Sequence, residues 1–238
     1  MNASNRAKAG VGESPFRAFQ RQPSMIDFPG RLAAVFFVGG CNFRCRYCHN
    51  SELIPTDRPG LPWLRLDEVC REFARNWVSA AVITGGEPTQ RSELPECIAF
   101  FRERGWAVKL DTNGSNPDML EQCLPLVDYV AMDVKADLPG YRELTGFDDG
   151  ARMLRSIGLI KRGARDYCFR TTVVEPFHSD ARMRAIGDLI GGARRYVLQP
   201  FVPRETVADP IWAALPRTSD RRLAELRLLL EDCADRIE

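Results

Sequence analysis

The chain has 238 residues, 45% of them hydrophobic, and a formal net charge of +1. That length suits one large domain or two small ones, and the balanced charge gives no overall pull toward nucleic acid or a membrane surface. No apolar run reaches the length of a membrane span, and the opening MNASNRAKAGVGESPFR lacks the apolar stretch of a secretory signal, so a cytoplasmic protein is expected.

In chain order, residues 1–22 read as a polar, flexible tail. LAAVFFV (32–38) is the first strand and ends at Gly39-Gly40. A helix-periodic segment, 66–78, leads to the strand AAVIT (80–84), which ends at Gly85-Gly86. A helix over 92–105 stops at Gly105, and WAVKLDT (106–112) forms a third strand. Asn116 and Pro117 open a helix, followed by the strand DYVAMDVK (128–135). Helices near 150–162 and 179–190 flank the strand DYCFRTTVV (166–174), RRYVLQP (194–200) is the sixth strand, and an amphipathic helix covers 219–237. Strands alternating with helices predict an α/β fold with a mostly parallel sheet; periodicity fits an open or a barrel-like sheet equally. The economical division is one core over 23–203, with 204–238 as a loop and helix packed on it.

The polar residues repeat one pattern. Gly85-Gly86-Glu87 follows strand two, Asp111-Thr112-Asn113-Gly114 ends strand three, and Asp133 and Lys135 end strand four. Thr171, Thr172 and Glu175 close strand five, and Gln199 closes strand six. Parallel α/β sheets place their sites at that edge.

Three of the eight cysteines, Cys41, Cys45 and Cys48, follow strand one at spacings of four and three. One face of a buried helix would show the same spacing. The neighbours favour a loop: Gly39 and Gly40 precede, and Asn42, Arg44, Arg46, His49 and Asn50 are polar on all sides. Cys70, Cys97, Cys123, Cys168 and Cys233 are scattered singly and read as buried, reduced residues. Thiolates select zinc or iron–sulfur clusters. Structural zinc needs four protein ligands, and His49 directly after Cys48 is poorly placed as the fourth. An iron–sulfur cluster on three cysteines keeps one iron open, which suggests a catalytic site.

With Tyr47 just before the third cysteine, this pattern resembles the signature of radical S-adenosylmethionine enzymes. SMIDFPGRLAAVFFVGGCNFRCRYCHN, TGGEPTQ, LDTNG and AMDVK follow one another as in the glycyl-radical-enzyme activases. Within that group the chain most resembles the activating proteins of anaerobic (class III) ribonucleoside-triphosphate reductase, with pyruvate formate-lyase activases as near relatives. The resemblance runs from Ser24 to Pro203.

The resemblance implies a partial (β/α)6 TIM-like barrel and a set of roles. Cys41, Cys45 and Cys48 hold a [4Fe–4S] cluster whose fourth iron is chelated by S-adenosylmethionine. Tyr47 lies beside the adenine, Gly85, Gly86 and Glu87 run along the methionine amino group, and Lys135 meets its carboxylate. Asp111, Thr112, Asp133 and the Ala131 carbonyl hold a monovalent cation, and Arg170 and Thr172 line the cofactor. Asp27 and Phe28 belong to the mouth where a partner peptide enters. Reduced flavodoxin or ferredoxin supplies an electron, S-adenosylmethionine is cleaved, and a glycine of the partner enzyme gives up a hydrogen atom. Taken singly, Glu87 also reads as a Glu-Pro turn residue and Lys135 as a solvated strand-end lysine. The segment LQPFVP departs from pyruvate formate-lyase activase, where Val202 aligns with a histidine near the cofactor.

Overall fold

The computed structural model describes Asn5, residues 12–207 and residues 209–238. Seven strands form one sheet in sequential order: β1 (Phe16–Phe19), β2 (Ala33–Val38), β3 (Ala80–Gly85), β4 (Ala107–Thr112), β5 (Tyr129–Asp133), β6 (Tyr167–Val173) and β7 (Tyr196–Pro200). β2 to β7 are mutually parallel, in register from Ala33 opposite Ala80 to Val173 opposite Pro200. Sequential order without pairing between β1 and β7 gives the open, partial barrel implied by the resemblance.

The crossover helices are α1 (Trp63–Arg75), α2 (Leu94–Arg102), α3 (Pro117–Cys123), α4 (Gly140–Thr145), α5 (Gly150–Gly163) and α6 (Asp180–Ile190), and α7 (Pro210–Ala213) and α8 (Asp220–Leu229) follow the last strand. Several begin where their sequence satisfies the free N–H groups of the first turn. The side chains of Asn116, Asp149, Ser179 and Ser219 accept from Met119, Arg152, Arg182 and Arg222 respectively.

Period-two alternation sorts each strand into two faces. Phe36, Ile83, Val108, Leu110, Met132 and Phe169 face the helices in the main core. The other face begins with small or apolar residues: Ala33, Val35, Ala80, Val82, Ala131 and Cys168 form a second cluster around Phe28. Two or four residues further along the same face lie Thr84, Asp111, Asp133, Arg170, Thr172 and Gln199, all at one cavity. The concave side is therefore dry at the strands' beginnings and polar at their ends.

Three sequence expectations change. Phe16–Phe19, inside the presumed tail of 1–22, is a strand antiparallel to β2. It forms because Phe16 is fully buried against Phe36 and Phe101, a contact distant in sequence. The last helix stops at Leu229, short of the expected 237. Beyond it the chain turns onto the free edge of β7, where Tyr196 and Leu198 N–H groups donate to the Arg236 and Glu238 carbonyls at 2.9 Å each; edge pairing outweighs continued helix. Phe28 does not reach the cysteines: it is buried beside Ala33, Ala80 and Tyr129, the first residues of three strands. It closes the concave side at the opposite end, because apolar burial is available there and not at the polar end.

Phe101 packs at ring-centroid distances of 4.8 Å from Phe36, 5.8 Å from Phe16 and 6.0 Å from Trp106. Phe101→Ala should lower the unfolding free energy by about 3–5 kcal/mol, read from the urea midpoint at unchanged slope.

Candidate functional site

A cavity of ≈ 280 Å³ opens at the C-terminal ends of β2 to β7. Thirteen of the candidate residues from the sequence line it: Cys41, Cys45, Tyr47, Cys48, Gly85, Gly86, Glu87, Asp111, Thr112, Asp133, Lys135, Arg170 and Thr172; Ala131 lies in the apolar cluster below. His49, Asn50, Ile54, Thr84, Asn113 and Gln199 complete much of its wall.

The cysteine loop is pinned from several directions. Gly40 N–H donates to the Leu53 carbonyl at 2.7 Å, and Arg44 N–H donates to the Thr145 carbonyl at 2.7 Å. Phe43 is buried against Phe147 and Tyr141 at 5.0 and 6.3 Å. Asn42 donates to Ser115 Oγ at 2.9 Å and accepts from Asn113 at 3.2 Å, which ties the loop to the end of β4. All three thiols are free. Burial pushes Cys41 up to about 11 and Cys45 up to about 12, and raises Cys48; the Lys135 ammonium pulls all three the other way.

Glycine is required where β2 and β3 end. Gly85 has φ +116, and a Cβ on it would lie 2.5 Å from Val38 N. A Cβ on Gly86 would lie 2.1 Å from the Gly40 carbonyl oxygen. This closeness permits two backbone bonds, Gly86 N–H to Val38 O at 3.0 Å and Glu87 N–H to Gly40 O at 2.8 Å.

Glu87 is buried, and both of its carboxylate oxygens accept hydrogen bonds from the protein. Oε1 accepts from Thr89 N at 3.0 Å, Thr89 Oγ1 at 2.5 Å and Thr112 Oγ1 at 2.7 Å, and Oε2 accepts from Asn113 N at 2.6 Å. Burial raises its pKa, against these four bonds. Glu87 thus locks the β3 turn to the end of β4.

A row of charges crosses the cavity floor. Lys109 Nζ pairs with Asp111 Oδ1, and Arg170 Nη1 reaches Asp111 Oδ2 at 3.2 Å. Arg170 Nε meets Asp133 Oδ1 at 2.8 Å, and Lys135 Nζ meets Asp133 Oδ2 at 3.0 Å. Burial opposes ionisation of Asp133 and is the largest influence, but Arg170 and Lys135 together outweigh it and hold the carboxyl at about 2. Burial likewise disfavours the charged Lys135, and Asp133 reverses it, so the ammonium is held well above its ordinary value. All four oxygens of Asp111 and Asp133 accept from side-chain cations, and Thr112 Oγ1 is engaged with Glu87 and Gly114.

Lys135 is also held by its main chain. Its N–H donates to Tyr141 Oη at 3.0 Å. His178, fully buried, accepts from Val174 N–H at Nδ1 (2.9 Å), so its proton lies on Nε2 and is donated to the Lys135 carbonyl at 3.0 Å. Nothing local in the sequence marks His178, whose partner lies 43 residues away.

The C-terminal segment supplies a second unforeseen element. Arg46 pairs with Asp209 at 2.8 Å, and its guanidinium lies 5.4 Å from the Trp212 ring centre. Tyr47 packs between Trp212 at 6.1 Å and Phe201 at 6.5 Å, with its hydroxyl buried and without a hydrogen-bond partner among the described residues. His49 Nε2 lies 2.8 Å from the Val202 carbonyl, and Ser51 Oγ donates to the Thr206 carbonyl at 2.8 Å.

The donor set fits an iron–sulfur cluster. Three soft, free thiols line one cavity that also holds a buried ammonium able to favour thiolate. No three His, Cys, Asp or Glu side chains among the described residues close in as one metal ion requires; a cluster of four irons is a wider body and takes wider-spaced sulfurs.

The chain matches the Radical SAM superfamily over residues 35–190. It is 31% identical over 222 residues to a protein of Methanocaldococcus jannaschii named for glycyl-radical enzyme activation, spanning 90% of this chain and 91% of that one. It is 30% identical over 198 residues to the pyruvate formate-lyase-activating enzyme of Clostridium pasteurianum, spanning 77% and 79%. Among solved structures, TYW1 with a lysine–pyruvate adduct bound shares the fold, with TM-score 0.62 at 16% identity over 86% of this chain and 76% of that one.

Burial drives the His178 imidazole down to about 4, against hydrogen bonds with Lys135 and Val174 that pull it up. The unfolded chain therefore takes up this proton first. Stability from neutral His178 is fully present above about pH 6.5 and falls as pH drops toward about 4, by at most about 1.4 kcal/mol per unit. Urea midpoints across that window should show the decline, and a flat profile would remove the neutral, Nε2-protonated assignment.

Proposed function

The chain belongs to the radical SAM superfamily, and as a homologue of glycyl-radical-enzyme activating enzymes it works with a [4Fe–4S] cluster and S-adenosylmethionine; we propose that its partner is anaerobic (class III) ribonucleoside-triphosphate reductase. When bound, these cofactors supply one-electron reductive cleavage of S-adenosylmethionine and the hydrogen abstraction that leaves a radical on a partner glycine. Reduced flavodoxin or ferredoxin is the proposed electron source, and the reducing cytoplasm the proposed compartment.

The chain's own residues bind, orient and shield. In this proposal Cys41, Cys45 and Cys48 are the cluster ligands. Gly85 and Gly86 offer backbone that a ligand can approach without meeting a side chain. Lys135, clamped at both main-chain ends, presents a fixed ammonium to a carboxylate. Tyr47 gives a buried ring face and a hydroxyl without a partner among the described residues. Arg170 and Thr172 line the far wall, and Asp111 and Asp133 hold Arg170 and Lys135 in place. Glu87 acts through the turn that it locks. Trp212 and Phe201 cover Tyr47 and so limit water at the cysteine loop.

The observation that carries the activase reading is the convergence of three free cysteines, Gly85-Gly86 and Lys135 on one cavity. Val202, in place of a histidine, favours the reductase as partner. Pyruvate formate-lyase is the second reading, favoured by the 30% identity to its activating enzyme over 77% of the chain.

The anaerobically reconstituted protein, mixed with S-adenosylmethionine, dithionite and either candidate partner, should give an organic-radical EPR signal on the reductase. A signal only on formate-lyase would establish the second reading, and failure to cleave S-adenosylmethionine at all would sink both. Cys41→Ala, Cys45→Ala and Cys48→Ala should each lower cleavage by at least about 10³-fold. Cys70→Ala, in the helix-facing core, should keep near-normal turnover.

A further inference from the structure

A second cavity, of ≈ 240 Å³, shares no lining residue with the first. Three arginines line it from three separate segments: Arg17 on β1, Arg58 in the loop before α1, and Arg91 after the β3 turn. Glu13 and Glu93 are the acidic residues on the same wall, so its formal charge is positive.

Two of these guanidinium groups are incompletely paired. Arg17 Nη1 and Arg91 Nε are buried and have no hydrogen-bond partner among the described residues. Arg91 uses Nη2 on Glu93 Oε1 at 3.3 Å, which leaves its Nε free. A buried cationic N–H without an acceptor is strongly unfavourable. Arginine is also the side chain whose planar fork best matches carboxylate and phosphate oxygens.

The backbone around the cavity is shaped to admit these groups. A Cβ on Gly39 would lie 2.2 Å from Arg17 Nε, so only glycine lets that guanidinium lie across the end of β2. A Cβ on Gly60 would lie 1.7 Å from the Ser14 carbonyl oxygen, so glycine also permits the loop carrying Arg58 to close against β1. Leu61 N–H donates to the Phe16 carbonyl at 2.6 Å and Ser14 N–H to the Leu61 carbonyl at 2.8 Å, fixing that closure.

We propose that this cavity, walled by Arg17, Arg58 and Arg91 beside Gly39, is a binding site for a small oxyanion of the phosphate or carboxylate type. The anion supplies the acceptors that Arg17 Nη1 and Arg91 Nε lack. Its Gly39 lies two residues upstream of Cys41, but the site is outside the cysteine cavity and independent of which partner the enzyme activates.

The test is a titration of the anaerobically reconstituted holoenzyme with inorganic phosphate, and separately with acetate, at constant ionic strength set by chloride. S-adenosylmethionine is kept saturating so that the cysteine cavity is filled. Saturable binding by calorimetry, with a rise in melting temperature of about 3 °C or more, is expected for one of the two anions; which one responds identifies phosphate or carboxylate as the ligand. Arg17→Gln and Arg91→Gln should each weaken that binding at least about tenfold, whereas Arg65→Gln on α1 should leave it unchanged. No saturable binding of either anion to the unmodified protein would overturn the proposal without reference to any variant, and so would wild-type affinity in folded Arg17→Gln and Arg91→Gln proteins.

Discussion

Five ionic side chains, Lys109, Asp111, Arg170, Asp133 and Lys135, are joined in a single row across β4, β6 and the end of β5. A charge taken out of water must find its opposite close by, and removing one member of such a pair strands the other. That requirement constrains the whole concave face. The strands must be in the register that puts Asp111 opposite Ala131 and Asp133 opposite Arg170, because a slip of one residue would turn these groups into the helix-facing core. The same row leaves Lys135 charged and pointed at the cysteine cavity.

Around this row the site is built from contacts that tolerate little substitution. The ends of β2 and β3 come close enough for backbone bonding only because Gly85 and Gly86 carry no side chain. Glu87 then spends its carboxylate on the neighbouring turn and the end of β4. The cysteine loop is tied to the turn after β4 through Asn42, to the last residue of α4 through Arg44, and to the C-terminal segment through Arg46 and His49. Each tie joins residues far apart in sequence, so the thiols are placed by the fold and not by their own loop. Such preorganisation suits chemistry in which positioning and exclusion of water are the protein's main contributions.

Much of the architecture was legible from pattern. The six parallel strands lie close to where short apolar runs end in Gly-Gly, Asn-Gly or a charged pair, because a strand buried on both faces leaves that signature. β1 was not legible: four residues of modest apolar character become a strand only when Phe16 meets Phe36 and Phe101. The C-terminal pairing onto β7 was hidden for the same reason, since a helical period says nothing about an edge waiting elsewhere. Phe28 was misplaced because resemblance to a motif carries no depth, whereas burial among Ala33, Ala80 and Tyr129 does.

The sequence by itself determined the chemistry: three cysteines at spacings of four and three after a strand, a Gly-Gly-Glu turn, and charged residues at successive strand ends. Those are local patterns, and local patterns survive without knowledge of the fold. Only the tertiary structure decided what each group is paired with. It showed Glu87 bonded to Thr89, Thr112 and Asn113, Asp111 and Asp133 paired with the chain's own cations, His178 holding the Lys135 carbonyl, and Arg17 brought across Gly39. The physical reason is that hydrogen bonding and charge pairing saturate. Whether a donor or acceptor is free for a ligand depends on every neighbour that folding delivers to it, and many of those neighbours lie dozens of residues away.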